Sequence, residues 1–495
     1  MRDRAARAIA ALLVALSGVG ATALGCGRAI RPDVLLVTLD TTRADRLHCY
    51  GNARIETPAL DGLARTGVLF ERAYTAIPST LPSHAAILTG LYPASLGLHD
   101  NGIYALADPH ATLAERLRAA GYETGAFVSA FVLDHRFGLA RGFDVYDDAM
   151  VSPLAHASDA SKPGAAPALP DAARGWLARM AEPFERRASE TTAHAIAWVA
   201  ARGEAPVFAW VHYFDAHQPY QPPPPWNERY DPGYAGPMDG DRARYHALMR
   251  ERNWTRHTPE ARREIDHLIA LYDGELSYVD GELAKLLDAF ARRGRPTLVV
   301  VVGDHGESFG EHVQIFEHNQ EIYEEVTRVP LLVRLPDGAS AGRRVDALVR
   351  TIDLAPTVLD WVGLAAAPEI EGRSLRPELL GREAAPPRDA LVEARRSRQL
   401  FAADHSLLGL RRGDWAAVLA LDPADRVLRR ELYDLASDPR ELRSLASAEP
   451  ATIDALDAAI RALVPPPGAS ADGAERALDP QTEAALRALG YLDGK

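Results

Sequence analysis

The stretch Pro78-Ser79-Thr80-Leu81-Pro82-Ser83-His84-Ala85-Ala86-Ile87-Leu88-Thr89-Gly90 puts a hydroxyl, a helix start and a basic side chain within a few residues. Proline fits the first turn of a helix, where its missing N–H costs nothing, and Ala85 to Leu88 can continue one before Gly90. Thr80 is therefore expected just before the helix N-terminus, or as its cap. There the unpaired N–H groups and the positive end of the dipole favour an anion: an alkoxide, a phosphate or a sulfate. His84, about one turn on, could reach the same anion. An ordinary threonine cap on a buried helix would carry the same residues.

A second group of reactive side chains stands where apolar runs stop. Val34 to Leu39 runs into Asp40, Val207 to Phe214 into Asp215 and His217, and Thr297 to Val302 into Gly303-Asp304-His305. In an open parallel sheet the ligand crevice lies beyond the carboxyl ends of the strands, so these groups are expected on one edge. Carboxylates with a little imidazole suit one divalent cation, Ca²⁺, Mg²⁺, Mn²⁺ or Zn²⁺. Such an ion lowers the pKa of a coordinated hydroxyl and neutralises the oxygens of a phosphate or sulfate. Taken singly, Asp40 and Asp304 also suit helix caps or turns, and His217 a structural hydrogen bond. Asp304-His305, set between glycines, favours the functional reading.

Strands of this kind need helices on both faces. Thr57-Pro58 to Gly67, Ala111 to Gly121, Pro259 to Gly294 and Asp353 to Gly363 read as helices, with Thr124 to Ala130 and Val329 to Leu335 as further strands. In the longest helix, Ile265, Leu268, Leu271, Tyr272, Leu276, Val279, Leu283, Leu286 and Leu287 fall on one face, and Gly274 and Gly281 weaken without breaking it. Alternating strands and helices predict an α/β fold with a mostly parallel sheet. Beyond about residue 380, short strands and charged turns predict a small α+β region, with Asp479 to Leu492 as a surface helix. Residues 150–175 read as a loop or insertion.

The 495 residues, 47% of them hydrophobic, can bury a large core. A formal net charge of −13, with the signs interspersed, argues against a nucleic-acid binder. An anionic substrate must therefore be attracted locally. Arg2, Arg4 and Arg7 before the apolar run Ile9 to Val19, then Ala23-Leu24-Gly25-Cys26, read as an export leader over residues 1–25. Cys26 resembles a bacterial lipoprotein processing site, which predicts a membrane-anchored protein at the periplasmic or outer surface. Only Cys49 would then remain, so no intrachain disulfide is expected.

Along nearly all of this length the chain resembles the sulfatases, a branch of the alkaline phosphatase superfamily. The matching stretches are Asp33 to Gly51 (D-V-L-L-V-T-L-D-T-T-R-A-D-R-L-H-C-Y-G), Pro78 to Pro93, Trp210 to Pro222, Tyr272 to Phe290, Val301 to His312, Tyr323 to Val333, Thr351 to Ser374 and Leu432 to Pro439. The resemblance implies an alkaline-phosphatase-like large domain over 33–380, with a central sheet flanked by helices, and a C-terminal subdomain over 381–495. By position it implies Asp40, Thr80, Asp304 and His305 as metal ligands. It makes Thr80, His84, His217 and His318 the catalytic group, with His217 on the sulfate or the leaving oxygen and His318 about where a Lys often binds sulfate. Thr41 stands where a further ligand Asp is usual, Arg43 is a supporting residue, and Asn101 is a weaker candidate for substrate contact.

One departure matters most. The usual nucleophile segment is C/S-x-P-S-R, whose first residue is oxidised to formylglycine. Here it reads Thr80-Leu81-Pro82-Ser83-His84, and oxidising a threonine gives a ketone, so no formylglycine is expected. Superfamily phosphodiesterases and phosphotransferases use an unmodified Thr. The expectation is a metal-dependent hydrolase of sulfate esters working through Thr80. Phosphodiester hydrolysis or head-group transfer is the alternative, and a non-catalytic glycan- or lipid-binding relative is the reading from another class. A two-zinc version would add Asp215, His217 and His318. The substrate would be an anionic ester of a glycan, lipid or aryl compound. Trp226, Tyr230 and Trp254 are candidates for stacking on it.

Overall fold

The computed structural model describes residues 31–464, except 103, 151–184, 241, 253–256, 313, 383–385 and 395–405. The leader with Cys26, all but the first residue of the 150–175 segment, Trp254 and the Asp479–Leu492 helix lie outside the described residues.

The apolar runs pair as the core of a nine-stranded sheet. Its order is Arg343–Val345, Val68–Tyr74, Arg328–Arg334, Thr297–Gly303, Asp33–Leu39, Val207–Tyr213, Glu123–Phe127 and Val145–Asp147, with Val349–Arg350 extending the pairing of Val68–Tyr74. Asp33–Leu39 is the centre, parallel to both neighbours, with Leu39 opposite Tyr213 on one side and Gly303 on the other. Arg328–Arg334 runs antiparallel to both of its neighbours, so the sheet is mixed.

Side chains alternate across a strand, and here both faces are covered, which is why the runs are continuously apolar. Leu36, Trp210 and Val300 pack on one face with the helices Thr80–Thr89, Leu113–Ala119 and Leu354–Trp361. Leu35, Val211 and Val301 pack on the other with Pro58–Thr66, Ala188–Ala200 and Pro259–Arg292. The last of these helices is 34 residues long. Gly274 does not break it, because the missing side chain makes room for the Trp226 carbonyl oxygen, 2.6 Å from where a Cβ would stand. Thr112 opens Leu113–Ala119 with a reciprocal capping box to Glu115.

In the C-terminal part, Ala390–Ala394, Ser406–Arg412, Trp415–Leu421 and Val427–Asp434 form an antiparallel sheet in chain order, covered by Pro450–Leu463. It meets the larger sheet through named bonds. Glu393 N–H donates to Ala76 O at 2.9 Å, four residues before Thr80, and the fully buried Arg411 bridges Glu441 and the Ile322 carbonyl.

His312 adds a pH-dependent element to this junction. Its Nδ1 lies 2.6 Å from Glu325 Oε1, and its Nε2 lies 3.1 Å from Glu441 O. Burial alone would lower its pKa, but the bond and charge of Glu325 raise it from 6.5 to about 9. A raised folded pKa gives stability that is fully present below 6.5 and is lost as pH rises through about 9. His312→Asn is expected to cost about 1.5–3 kcal/mol at neutral pH, the range for a hydrogen bond to a charged group. In paired thermal melts the deficit should fade above pH 9; a deficit constant with pH would refute the charge argument.

Candidate active site

The N-terminus of the Thr80–Thr89 helix is the centre of the site. Ser79 is its cap residue, in extended conformation and without a side-chain cap bond, and Thr80 is the first helical residue. The expectation that Thr80 caps the helix is thus corrected. Its Oγ1 turns instead toward His305 Nε2, 3.4 Å away, which removes the ordinary-cap reading. All ten residues of the helix are buried. Leu81 N–H is held at 2.8 Å by Asn101 Oδ1, and the buried Asn101 Nδ2 has no hydrogen-bond partner among the described residues.

Asp40 and Asp304 follow neighbouring central strands and are both fully buried. Asp304 Oδ1 accepts the N–H groups of Thr41 at 3.1 Å and His305 at 2.7 Å. Among the described residues, Asp304 Oδ2 and Asp40 Oδ1 have no hydrogen-bond partner. His305 Nδ1 lies 3.0 Å from Gly306 O. A carbonyl only accepts, so Nδ1 carries the proton and Nε2 offers a lone pair, 3.5 Å from Asp304 Oδ2 and 3.8 Å from Asp40 Oδ1. Two partnerless carboxylate oxygens, an imidazole lone pair and a hydroxyl thus face one another, a donor set that fits a divalent cation. Burial first, and then Glu307 for Asp40 and Asp40 for Asp304, push both carboxyls well above the ordinary range. Burial first, then His318, holds His305 well below it.

His217 and His318 complete one wall. His318 stacks on His305 with centroids 4.4 Å apart, and meets His217 edge-on at 5.4 Å. Its Nδ1 is 3.3 Å from Glu307 Oε1, whose other oxygen accepts the Tyr220 hydroxyl at 3.2 Å. His217 rides on a loop gripped by Glu275, which accepts Ala216 N–H at 2.7 Å and Gln221 N–H at 2.8 Å. The two-zinc set is not brought together: Asp215 Oδ2 accepts Ala188 N–H at 2.7 Å at the start of Ala188–Ala200, and Asp215 joins no ligand cluster among the described residues. Burial raises its pKa to about 7.

Thr41 and Ala216 both have positive φ, 47° and 85°, strain of about 1–3 kcal/mol each for such residues. They are bonded to each other, Thr41 Oγ1 donating to Ala216 O at 2.8 Å. Thr41 therefore turns its hydroxyl to the loop. Arg43, as expected, supports: it pairs with Asp45 and Glu311, donates to Glu307 O at 3.0 Å and lies over Phe309.

His84 is a correction. It does not face an anion at the Thr80 hydroxyl but lies beneath it. Nδ1–H donates to Thr80 O at 2.7 Å, and Nε2 meets Thr38 Oγ1 at 3.0 Å on the central strand. Burial first, then His212, holds its pKa well below the usual value. One helical turn after Thr80 means under it, and the ring braces the Thr80 peptide against the strand that leads to Asp40. Trp226 and Tyr230 are packing residues, Trp226 against Tyr278 at 5.4 Å and Tyr230 bonded to Ser277 at 2.6 Å. Sequence reasoning missed Glu307, Tyr220, Glu275 and His212. Glu307 was the one with a signal, since it closes the same glycine-flanked turn.

The turn itself is a test of this geometry. A methyl on Gly306 would collide with the Glu325 carbonyl oxygen. Gly306→Ala is expected to lose about 1–3 kcal/mol, as overpacking does, and to displace His305. Urea midpoints unchanged from wild type would contradict the close approach.

The profile of a family described as Sulfatase matches residues 32–364, and one described as N-sulphoglucosamine sulphohydrolase, C-terminal, matches 310–461. The chain is 28% identical over 447 residues to a protein of Escherichia coli (strain K12) named uncharacterized sulfatase YidJ, covering 84% of this chain and 83% of that one. It is 25% identical over 475 residues to an arylsulfatase of Clostridium perfringens (strain 13 / Type A), covering 85% and 91%. Among solved structures, the phosphonate monoester hydrolase SpPMH from Silicibacter pomeroyi superposes with a TM-score of 0.65 at 25% identity, covering 87% of this chain and 94% of that one.

Proposed function

The chain belongs to the sulfatase family of the alkaline phosphatase superfamily and is an ester hydrolase, and from that premise we propose that it cleaves sulfate esters with unmodified Thr80 as nucleophile at a divalent metal centre. The observation that carries this reading is Thr80 Oγ1 at 3.4 Å from His305 Nε2, beside the partnerless oxygens of Asp40 and Asp304. Asp40, Thr80, Asp304 and His305 would hold the ion, which when bound lowers the pKa of the hydroxyl and neutralises the ester's oxygens. The first-turn position of Thr80 adds the positive end of the helix dipole.

The rest follows from side chains. Thr80 Oγ1, its proton released to solvent, attacks sulfur and the bond to the leaving oxygen breaks. A protonated imidazole of the His217 and His318 wall gives that oxygen its proton, and water then attacks sulfur, returning a proton to that imidazole, and breaks the bond to Thr80 Oγ1 to release sulfate. Asn101 Nδ2 is an additional donor for a non-bridging oxygen.

A second reading, phosphate or phosphonate esters, is favoured by the threonine itself. Without the aldehyde hydrate, release depends on water attacking the esterified threonine, which is ordinary phosphoryl chemistry. We propose further that the protein works outside the cytoplasm, held to a membrane through acylated Cys26; the basic, apolar and small-residue order of residues 1–26 supports this.

The test is hydrolysis of an aryl sulfate, an aryl phosphate, an aryl phosphodiester and an aryl phosphonate, by protein lacking residues 1–26, with Ca²⁺, Mg²⁺, Mn²⁺ or Zn²⁺ added in turn. Metal-dependent sulfate release supports the first reading, and turnover confined to phosphorus esters supports the second. Turnover on none of the four, with any ion, would count against both.

A further inference from the structure

His212 is the sixth of seven residues of the apolar strand Val207–Tyr213, fully buried, where a histidine passes for a core residue. Its bonds say otherwise. Ser129 N–H donates to Nδ1 at 3.3 Å. A backbone N–H can only donate, so Nδ1 is unprotonated and the proton sits on Nε2, 3.2 Å from Asp40 Oδ2. Ser129 is anchored in turn, its Oγ donating to the His212 carbonyl at 2.6 Å and pairing with Thr191 Oγ1 at 2.8 Å. Arg186 Nε holds Thr191 Oγ1 in turn at 3.0 Å. On the open side His84 stands edge-on, 4.9 Å between centroids.

We propose that His212 is a positioning residue of the metal centre: its Nε2–H occupies Asp40 Oδ2, so that Asp40 presents Oδ1 alone, in a fixed direction, to the cation. The inference rests on the metal-dependent reading above. A carboxylate with one oxygen tied by an imidazole N–H loses the freedom to rotate or to bind through both oxygens, and such outer partners set metal affinity.

His84, His212 and Asp304 also lie close enough together to suggest a second ion behind the first. Their protons exclude it. His212 Nε2 carries its hydrogen to Asp40, and His84 Nδ1, which is 3.6 Å from Asp304 Oδ2, carries its own to Thr80 O. The remaining His84 nitrogen faces Thr38, and His212 Nδ1 is taken by Ser129. No imidazole lone pair is left for a shared point.

Two substitutions separate the bonds. His212→Asn keeps an oxygen near the Nδ1 position for Ser129 N–H but has no donor that reaches Asp40. His212→Gln carries an amide N–H out to the Nε2 position and gives up the Ser129 acceptor. Mn²⁺ titration of metal-free protein, read from the paramagnetic resonance of free Mn²⁺, should give one ion per wild-type chain. Affinity should fall about 10–100-fold in His212→Asn, the usual cost of removing such a partner, and stay within about threefold in His212→Gln. Metal-free melting temperatures, taken alongside, report whether each variant is folded. Equal affinity in wild type and His212→Asn, equal losses in both variants, or two ions per chain would overturn the proposal. A wild-type protein that binds no Mn²⁺ would overturn the metal-dependent reading itself, which is a different result.

Discussion

Thr80→Ala is expected to keep the fold and to bind a divalent ion through Asp40, Asp304 and His305, with turnover lower by about 10⁴- to 10⁶-fold, the scale on which hydrolases lose rate when their nucleophile is removed. The exchange deletes one hydroxyl and one methyl at the helix start. The backbone there is held independently, by Asn101 on Leu81 N–H, by His84 on Thr80 O and by Ser83 Oγ on Asp304 O at 2.8 Å. Thr80→Ser retains the hydroxyl without the methyl that fixes its rotamer, and should keep part of the rate. Steady-state kinetics at saturating metal check the pair, and the mass of the wild-type peptide containing residue 80 should equal unmodified threonine. Turnover of the alanine variant within tenfold of wild type would remove Thr80 from the chemistry.

Asp304→Asn is expected to abolish activity, to weaken metal binding by more than about 100-fold, beyond the cost of losing an outer partner, and to raise the melting temperature of the metal-free protein. Burial, then repulsion from Asp40, lifts the Asp304 carboxyl well above its ordinary 3.8, and burial, then Glu307, does the same for Asp40. In the unfolded chain both ionise near 3.8, so as pH climbs from there toward the raised folded values the unfolded state releases protons that the fold retains. Stability is full below 3.8 and drains away through the folded pKa values. Asparagine removes one of the two acids and the repulsion between them. Melts of chelator-treated protein from pH 4 to pH 8 should show a steeper decline for wild type than for the variant, and added metal should reverse the order at pH 8. Parallel curves would mean that these carboxyls carry no such strain.

Much of this site could be read from residue order because its parts end strands. Asp40 and Asp304 are legible because an apolar run of about seven residues that stops at an aspartate marks where the strand ends. The Thr80–Thr89 helix is legible because Pro82 and the small residues after it suit one. Strand direction leaves no such mark: Arg328–Arg334 reads like its parallel companions, and only its pairing with Val68–Tyr74 and Thr297–Gly303 makes it antiparallel. His84 was misplaced because counting residues along a helix gives the face and not the depth. His212 and Glu275 were overlooked for a related reason: a histidine in a strand or a glutamate in a long helix has no local pattern that tells a packed side chain from one that grips an aspartate or a loop. Trp226 and Tyr230 suit stacking on a substrate by residue type alone, but they face Tyr278 and Ser277 of the long helix.

The central strand also governs when the protein can exist. Asp33–Leu39 is made first, yet its hydrogen-bonding partners are Val207–Tyr213 and Thr297–Gly303. During synthesis this mostly apolar strand waits without either neighbour until Val207–Tyr213 has been made, and without the second until Thr297–Gly303, when more than half of the chain has followed. Contacts so distant in sequence form slowly, and an exposed apolar strand invites aggregation in the interval. Asp40, Thr80 and His217 precede residue 297 while Asp304 and His305 follow it, so no shorter nascent chain carries the whole set of candidate site residues. Ribosome-bound chains ending before residue 297 would be expected to need a chaperone and to have no hydrolytic activity at all.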